Sequence, residues 1–164
     1  MRNRRTGIGK FDILQYLIMA GLLVFMILML TAGHSKVVPI PEIKETMAAI
    51  PSVSELSEKD MNDAAKTFGY DPGLVDEGIY YSVDDIMNVN ELLIVRVEDD
   101  DNREIVSDAV SQYLKEKTAS FDGYGTNQFG LLSSAVITEK GTYLFFGVSE
   151  DVLRWESEFL KCIR

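Results

Sequence analysis

The sequence predicts an α+β protein in which an N-terminal transmembrane helix is followed by a small, mostly antiparallel four-stranded sheet with helices packed on one face. Three observations carry this. Residues 13–32, ILQYLIMAGLLVFMILMLTA, run apolar with Gln15 as the only strongly polar side chain. Two pairs of strand-like segments come after it, 78–83 with 91–98 and 134–138 with 142–148, rich in β-branched, aromatic and aliphatic residues. A stretch of helical periodicity succeeds each pair, and strands alternating with helices in this way pack as layers around one core.

The apolar run is the first element. At about 1.5 Å rise per residue it makes a helix of about 30 Å, the thickness of a bilayer's hydrocarbon core. Arg2, Arg4, Arg5 and Lys10 precede it, whereas the next fifteen residues hold only Lys36 and Lys44. The positive-inside bias makes residues 1–12 a cytoplasmic basic segment and 13–32 a single-pass anchor in the cell membrane, with the C-terminal domain extracellular. Signal-peptide apolar regions run about 7 to 15 residues. Thr31, Ala32 and Gly33 are small enough for a signal peptidase, but the length of the run favours an uncleaved anchor. Lipidation would need a cysteine just after the run, and the only cysteine is Cys162.

Charge is unevenly spread. The 164 residues carry 16 basic and 26 acidic side chains, and residues 1–34 account for four of the bases and one of the acids. The remainder of the chain is strongly acidic, which repels nucleic acid and anionic lipid or wall polymer and otherwise serves solubility, with cation binding the lesser alternative. One cysteine permits no intrachain disulfide, so the domain depends on its apolar core.

Pro39, Pro41 and Pro51 concentrate in residues 33–53, three of the four prolines in the chain. Proline fixes φ and removes an amide donor, so this stretch reads as an extended tether, with a short helical turn at 47–50 left open. The α+β domain is then 54–164. Ser57 with Asp60 reads as a capping box for a helix with Met61, Ala64, Ala65 and Phe68 on one face, stopped by Gly69. Asp71, Pro72 and Gly73 make a turn. In ELLIVRVE, Leu93, Val95 and Val97 share one face, and Leu92, Ile94, Arg96 and Glu98 the other, whose rising polarity suggests that it leaves the core.

DDDNR at 99–103 opens a helix with Ile105, Val106, Ala109, Val110, Tyr113 and Leu114 at helical spacing. Acids in its first turn with Lys115 and Lys117 near its end match the helix dipole. A glycine-containing loop, FDGYGTNQFG, leads to a hairpin joined by Glu139, Lys140 and Gly141. Ser149 caps a last helix with Val152, Trp155, Phe159 and Ile163 on one face. LLIVRVED and LFFGVSED, each succeeded by a helix, read as a weak strand–strand–helix repeat.

Catalytic residues are sparse. Acyl transfer and hydrolysis need a nucleophile, a base and an orienting group, yet the single histidine is His34, at the edge of the membrane run. Cys162 has no base near it in sequence, and zinc spacings are absent. Asp99–Asp101 with Asn102 and Glu104 lack the mid-loop glycine and closing glutamate of a calcium loop, so no metal or other cofactor is expected. Paired carboxylates for glycoside hydrolysis meet only in a fold and stay open. Gly123, Tyr124 and Gly125 lack the lysine of a phosphate loop. The reading of 121–130 is a turn in which Gly123 and Gly125 take positive φ and Tyr124 packs inward. Phe121, Gly123, Tyr124 and Gly125 are the alternative, a candidate interaction loop. Tyr80, Tyr81, Phe129 and Tyr143 could join Phe121 and Tyr124 in an aromatic platform for sugars, although burial is the commoner use of such residues in a small sheet.

FDGYGTNQFGLLSSAVITEKGTYLFFGVSED, with MNVNELLIVRVED upstream, resembles the family called domain of unknown function 4358, found in Gram-positive bacteria of the clostridial type. The likeness covers roughly 58–160. It rests on Phe121, Gly123, Tyr124 and Gly125, on Ala135, on Lys140 and Gly141, on Tyr143, Phe145 and Phe146, and on Glu150 and Asp151. The resemblance implies export, often as a lipoprotein, whereas this chain has an apolar run instead of a lipidated cysteine. It also implies proximity to membrane O-acyltransferases, and it assigns no activity.

The expected function is a non-enzymatic, membrane-anchored binding or accessory protein of the cell envelope, whose partner is another envelope protein or a surface glycan. The alternative is an accessory subunit or enzyme of surface polysaccharide modification of the O-acylation type. A sensor role is disfavoured by a cytoplasmic segment of about twelve residues.

Overall fold

The computed structural model describes residues 10–32, 37–85, 87–123 and 125–164, with the side chains of the first stretch limited to 15–26. The chain divides into two units, Met1–His34 and Ser35–Arg164. In the first, α1 (Lys10–Ala32) is one 23-residue helix. Its large apolar side chains from Tyr16 to Met26 are exposed. Among the described residues no helix is long and apolar enough to cross a membrane. The described side chains of α1 cover about 18 Å of helix at 1.5 Å per residue. Arg2, Arg4, Arg5, Gly33 and His34 lie outside the described residues.

In the second unit, segments rich in apolar residues build β2 (Glu77–Ser82), β3 (Glu91–Arg96), β4 (Val136–Lys140) and β5 (Tyr143–Val148). A fifth strand corrects the expected four: β1 (Ser57–Lys59) pairs with β2, placing Ser57 opposite Ser82 and Lys59 opposite Tyr80. Its residues, SEK, carry no apolar alternation, so it is held by backbone pairing and by the ion pairs Lys44–Glu58, at 2.5 Å, and Lys59–Asp84. The sheet is antiparallel throughout in the order β1-β2-β3-β5-β4. β4 and β5 form the expected hairpin, with Lys140 opposite Tyr143 and Gly141 at φ +57° in the turn.

Helices cover both faces rather than one. Ile79, Tyr81, Leu92, Ile94, Tyr143 and Phe145 pack with α2 (Ile40–Ala48), α3 (Pro51–Ser54) and α7 (Val152–Cys162). Tyr80, Leu93, Val95, Leu144 and Phe146 pack on the opposite side with α4 (Met61–Phe68), α5 (Asp100–Ser120) and α6 (Thr126–Ser133). The division of β3 into two faces holds, but both faces are core, and Leu92 to Val95 are fully buried. α5 and α7 lie on opposite faces, so the two strand–strand–helix stretches do not form a symmetric repeat.

The proline-rich stretch is not an extended tether where it is described. Ile40, Ile43 and Met47 of α2 and Val53 of α3 are buried in the core. Pro41 and Pro51 occupy first-turn positions, where the missing N–H has no intrahelical partner to lose. Tyr143 joins this segment to the sheet: Val38 N–H donates to its Oη at 2.8 Å, and its hydroxyl donates to Val38 C=O at 2.5 Å, both buried. Trp155 Nε1 donates to Ser52 Oγ at 3.0 Å, pinning α3 to α7.

Local details obey physical rules. Asp60, rather than Ser57, caps α4, its Oδ1 accepting from Asn62 N–H at 2.7 Å. That bond holds the Asp60 carboxyl below its usual range. Gly69 ends α4 at φ +79°. Asp99 caps α5 through Asn102 N–H at 2.8 Å. Val106 and Val110 face the core as expected, but Ile105 is exposed, because a stripe through 106 and 110 rotates 105 outward. Ser107 Oγ donates to Glu139 Oε1 at 2.6 Å and Arg103 Nε to Oε2 at 3.0 Å, tying α5 to β4. Ser107 first, and then Arg103, hold the Glu139 carboxyl below its usual range. The last helix keeps its expected face, with Val152, Trp155, Phe159 and Ile163 buried.

Phe159→Ala should lower unfolding free energy by about 3–5 kcal/mol, because Phe159 stacks on Phe145 with ring centroids 5.3 Å apart inside the core. Ile105→Ala, at an exposed position, should stay within about 0.5 kcal/mol of wild type in the same denaturant titration. Equal losses at the two positions would contradict the assigned helix faces.

Candidate functional site

The described residues form an open pocket of about 500 Å³ at the end of the sheet where β3 begins and β5 ends. Four segments wall it. α3 and the residue that caps its end bring Ser52 and Glu55, the β2–β3 connection brings Asp85 and 87–90, α6 brings Asn127, Gln128 and Leu131, and the β5–α7 junction brings Ser149, Glu150 and Asp151.

Side chains that cap their own backbone hold these walls. Asp85 Oδ1 accepts from Met87 N–H at 2.9 Å, and Asn88 Oδ1 accepts from Asn90 N–H at 3.0 Å. Gln128 Nε2 donates to Met87 C=O at 3.1 Å, joining α6 to the β2–β3 connection. Ser149 Oγ accepts from Asp151 N–H at 3.1 Å. Asn90 Oδ1 is sheltered from solvent and has no hydrogen-bond partner among the described residues. A polar atom in that condition costs free energy unless water or a ligand answers it.

The lining is chemically uniform. Glu55, Asp85, Glu150 and Asp151 supply carboxylates, and Asn88, Asn90, Asn127 and Gln128 supply carboxamides. Among the described lining residues there is no histidine, cysteine, lysine or arginine. Ser52 Oγ accepts from Trp155 Nε1 at 3.0 Å and Ser149 Oγ from Asp151 N–H at 3.1 Å, so both hydroxyls are held by donors to their oxygens. Among the described residues no group of three or more His, Cys, Asp or Glu side chains is placed to hold a metal ion.

At the start of β3, Glu91 anchors a part-buried charge network. Glu91 Oε1 accepts from Tyr113 Oη at 2.7 Å and from Lys117 Nζ at 2.6 Å, and Lys117 also donates to Tyr113 Oη at 2.8 Å. Burial raises the Tyr113 pKa well above its usual value, and the Glu91 charge adds to the shift. Burial likewise pushes Tyr80 up to about 12. This network fixes α5 against the first residue of β3, next in sequence to Asn90.

The sequence-derived loop has a supporting role. Phe121 is buried at the end of α5. Gly123 takes φ +89° as expected, whereas Gly125 sits at φ −115° as the N-cap of α6. A Cβ at Gly125 would meet Phe121 Cδ1 at 2.7 Å, so close packing, not a left-handed backbone, requires that glycine. Tyr124 lies outside the described residues. The loop read as continuous over 121–130 gives way at Thr126 to α6, whose next residues line the pocket. Tyr80, Tyr81 and Tyr143 are buried, so they form no surface platform, while Phe129 is partly exposed. Motif spacing did not single out Asn88, Asn90, Asn127 or Gln128. Their signal is the amide-rich pair of stretches MNVNE and TNQF, which look like ordinary turn chemistry until the fold joins them.

The family described as Domain of unknown function (DUF4358) matches residues 51–149. The chain belongs to this family. No curated protein and no solved structure matches the chain. The DUF4358 match spans all five strands and three walls of the pocket, with Ser149 of the fourth. It stops short of α2 and α7, which supply Ile43, Met47, Trp155 and Phe159 to the core. The DUF4358 region therefore depends, in this chain, on flanking helices for much of one face of its sheet.

Gly123→Ala should lower stability by about 1 kcal/mol through its left-handed backbone. Asn127→Ala, exposed in the pocket, should melt within about 0.5 kcal/mol of wild type. Thermal melts read both, and a wild-type melt for Gly123→Ala would contradict the turn geometry.

Proposed function

We propose that this protein is a membrane-anchored, non-enzymatic binding domain of the cell envelope, which holds an envelope component in the pocket at the end of its sheet. The observation that carries the reading is the pocket lining, rich in hydrogen-bonding side chains and poor in groups that do chemistry. Anchoring is supported by the apolar run 13–32 of the sequence and by the exposed apolar side chains from Tyr16 to Met26. The basic residues Arg2, Arg4, Arg5 and Lys10 support a cytoplasmic N-terminus. The acidic domain then faces outward, where its charge keeps it off anionic surfaces.

Topology and binding are tested together. Protease added to intact protoplasts should digest the chain beyond α1 and leave the N-terminal residues protected. The detergent-solubilised protein, captured from its own cells, should retain an envelope component that the Asn127→Ala variant loses. Protection of residues 37–164 would overturn the orientation, a mature chain beginning near residue 34 would replace the anchor by a cleaved leader, and equal capture by the variant would remove the pocket from the function.

A further inference from the structure

We propose that the pocket takes a neutral, hydroxyl-rich ligand, a glycan segment of one or two sugar units; this rests on the reading of the pocket as the binding site. Its volume of about 500 Å³ lies within the range of small-molecule sites. The lining decides the class. Four carboxylates and no basic side chain among its described residues repel phosphates, uronates and other anions.

Carboxylates alone would suit a cation, but the pocket also carries the carboxamides of Asn88, Asn90, Asn127 and Gln128. A carboxamide presents NH₂ donors and a carbonyl acceptor side by side. An ammonium group or a metal ion has no lone pair to offer those NH₂ donors. A sugar hydroxyl donates and accepts at once, so it answers carboxamide and carboxylate alike. Asn90 Oδ1 finds no donor among the described residues, and a ligand hydroxyl that entered beside it would satisfy it. Met87 and Leu131 add apolar surface on which the C–H face of a pyranose can rest.

The test is a calorimetric titration of the full chain in a polyoxyethylene detergent, which avoids the sugar headgroups of glycosidic detergents. The probes are the neutral disaccharides chitobiose in its N-acetylated form, cellobiose, maltose and mannobiose. Digalacturonate, inorganic phosphate, spermidine and calcium chloride serve as charged comparators. At least one neutral disaccharide should bind saturably, and Asn90→Ala and Asn127→Ala should each weaken it by about tenfold, as for one lost hydrogen bond. Thermal melts confirm that the variants are folded, and the exposed Asn127 keeps the test valid if Asn90→Ala unfolds.

Saturation by none of the four neutral sugars, or saturation that neither variant alters, overturns the proposal. Binding of spermidine or calcium that depends on Asn127, without sugar binding, also overturns it while leaving the pocket a ligand site. Loss of envelope capture with no response to any probe rejects the sugar class but not the binding function.

Discussion

β3 and β5 lie side by side at the centre of the sheet and are apolar on both faces, and everything else in the second unit answers that constraint. Leu92 to Val95 and Tyr143 to Phe146 are fully buried. Side chains alternate along a strand, so no single layer of helices can cover such a pair. One face recruits α4, α5 and α6, which succeed or connect the strands. The other recruits α7 from the end of the chain and α2 with α3 from before the first strand. Two hydrogen bonds between Tyr143 and the Val38 backbone close this second layer across a separation of 105 residues. Both groups are buried, so neither can exchange its partner for water without loss.

The pocket is a consequence of the same layering. Where the two central strands end, the layers diverge, and the β2–β3 connection, α6, α3 and the β5–α7 junction surround the gap. Elements from both faces contribute, so the site exists only when both layers are in place. The Glu91–Tyr113–Lys117 network joins α5 to the start of β3, where a buried carboxylate is retained by a cation and a hydroxyl. Removing one partner from such a cluster strands the other in the core, which makes it a point of conformational specificity at the start of β3.

Much of this was legible in the sequence. Runs rich in β-branched, aromatic and aliphatic residues located β2 to β5, helical periodicity located the buried faces of α4 and α7, and Gly141 marked the hairpin turn. The run LLIV carried the sign of two-sided burial, a continuous apolar stretch in place of alternation, but Arg96 and Glu98 beyond it pointed one face toward solvent. Pro39, Pro41 and Pro51 suggested extended chain because proline breaks helices internally. At first-turn positions it begins them instead, and Ile40, Ile43 and Met47 already had helical spacing. β1 gave no signal, since its three polar residues show no apolar alternation and its ion pairs join residues distant in sequence. The pocket was illegible for a different reason: its amides and acids come from four segments, and each is ordinary turn or cap chemistry in its own neighbourhood.

The central claim is that the sheet needs two helical layers and that residues before the first strand belong to the folded domain. Guanidinium unfolding of fragments 35–164 and 54–164, monitored by tryptophan fluorescence at Trp155, tests it directly. The account predicts a cooperative transition for 35–164. It predicts none for 54–164, which lacks Val38, Ile40, Ile43, Met47, Ile50 and Val53 from the core around Trp155. A cooperative transition in 54–164 at the same midpoint as 35–164 would contradict it.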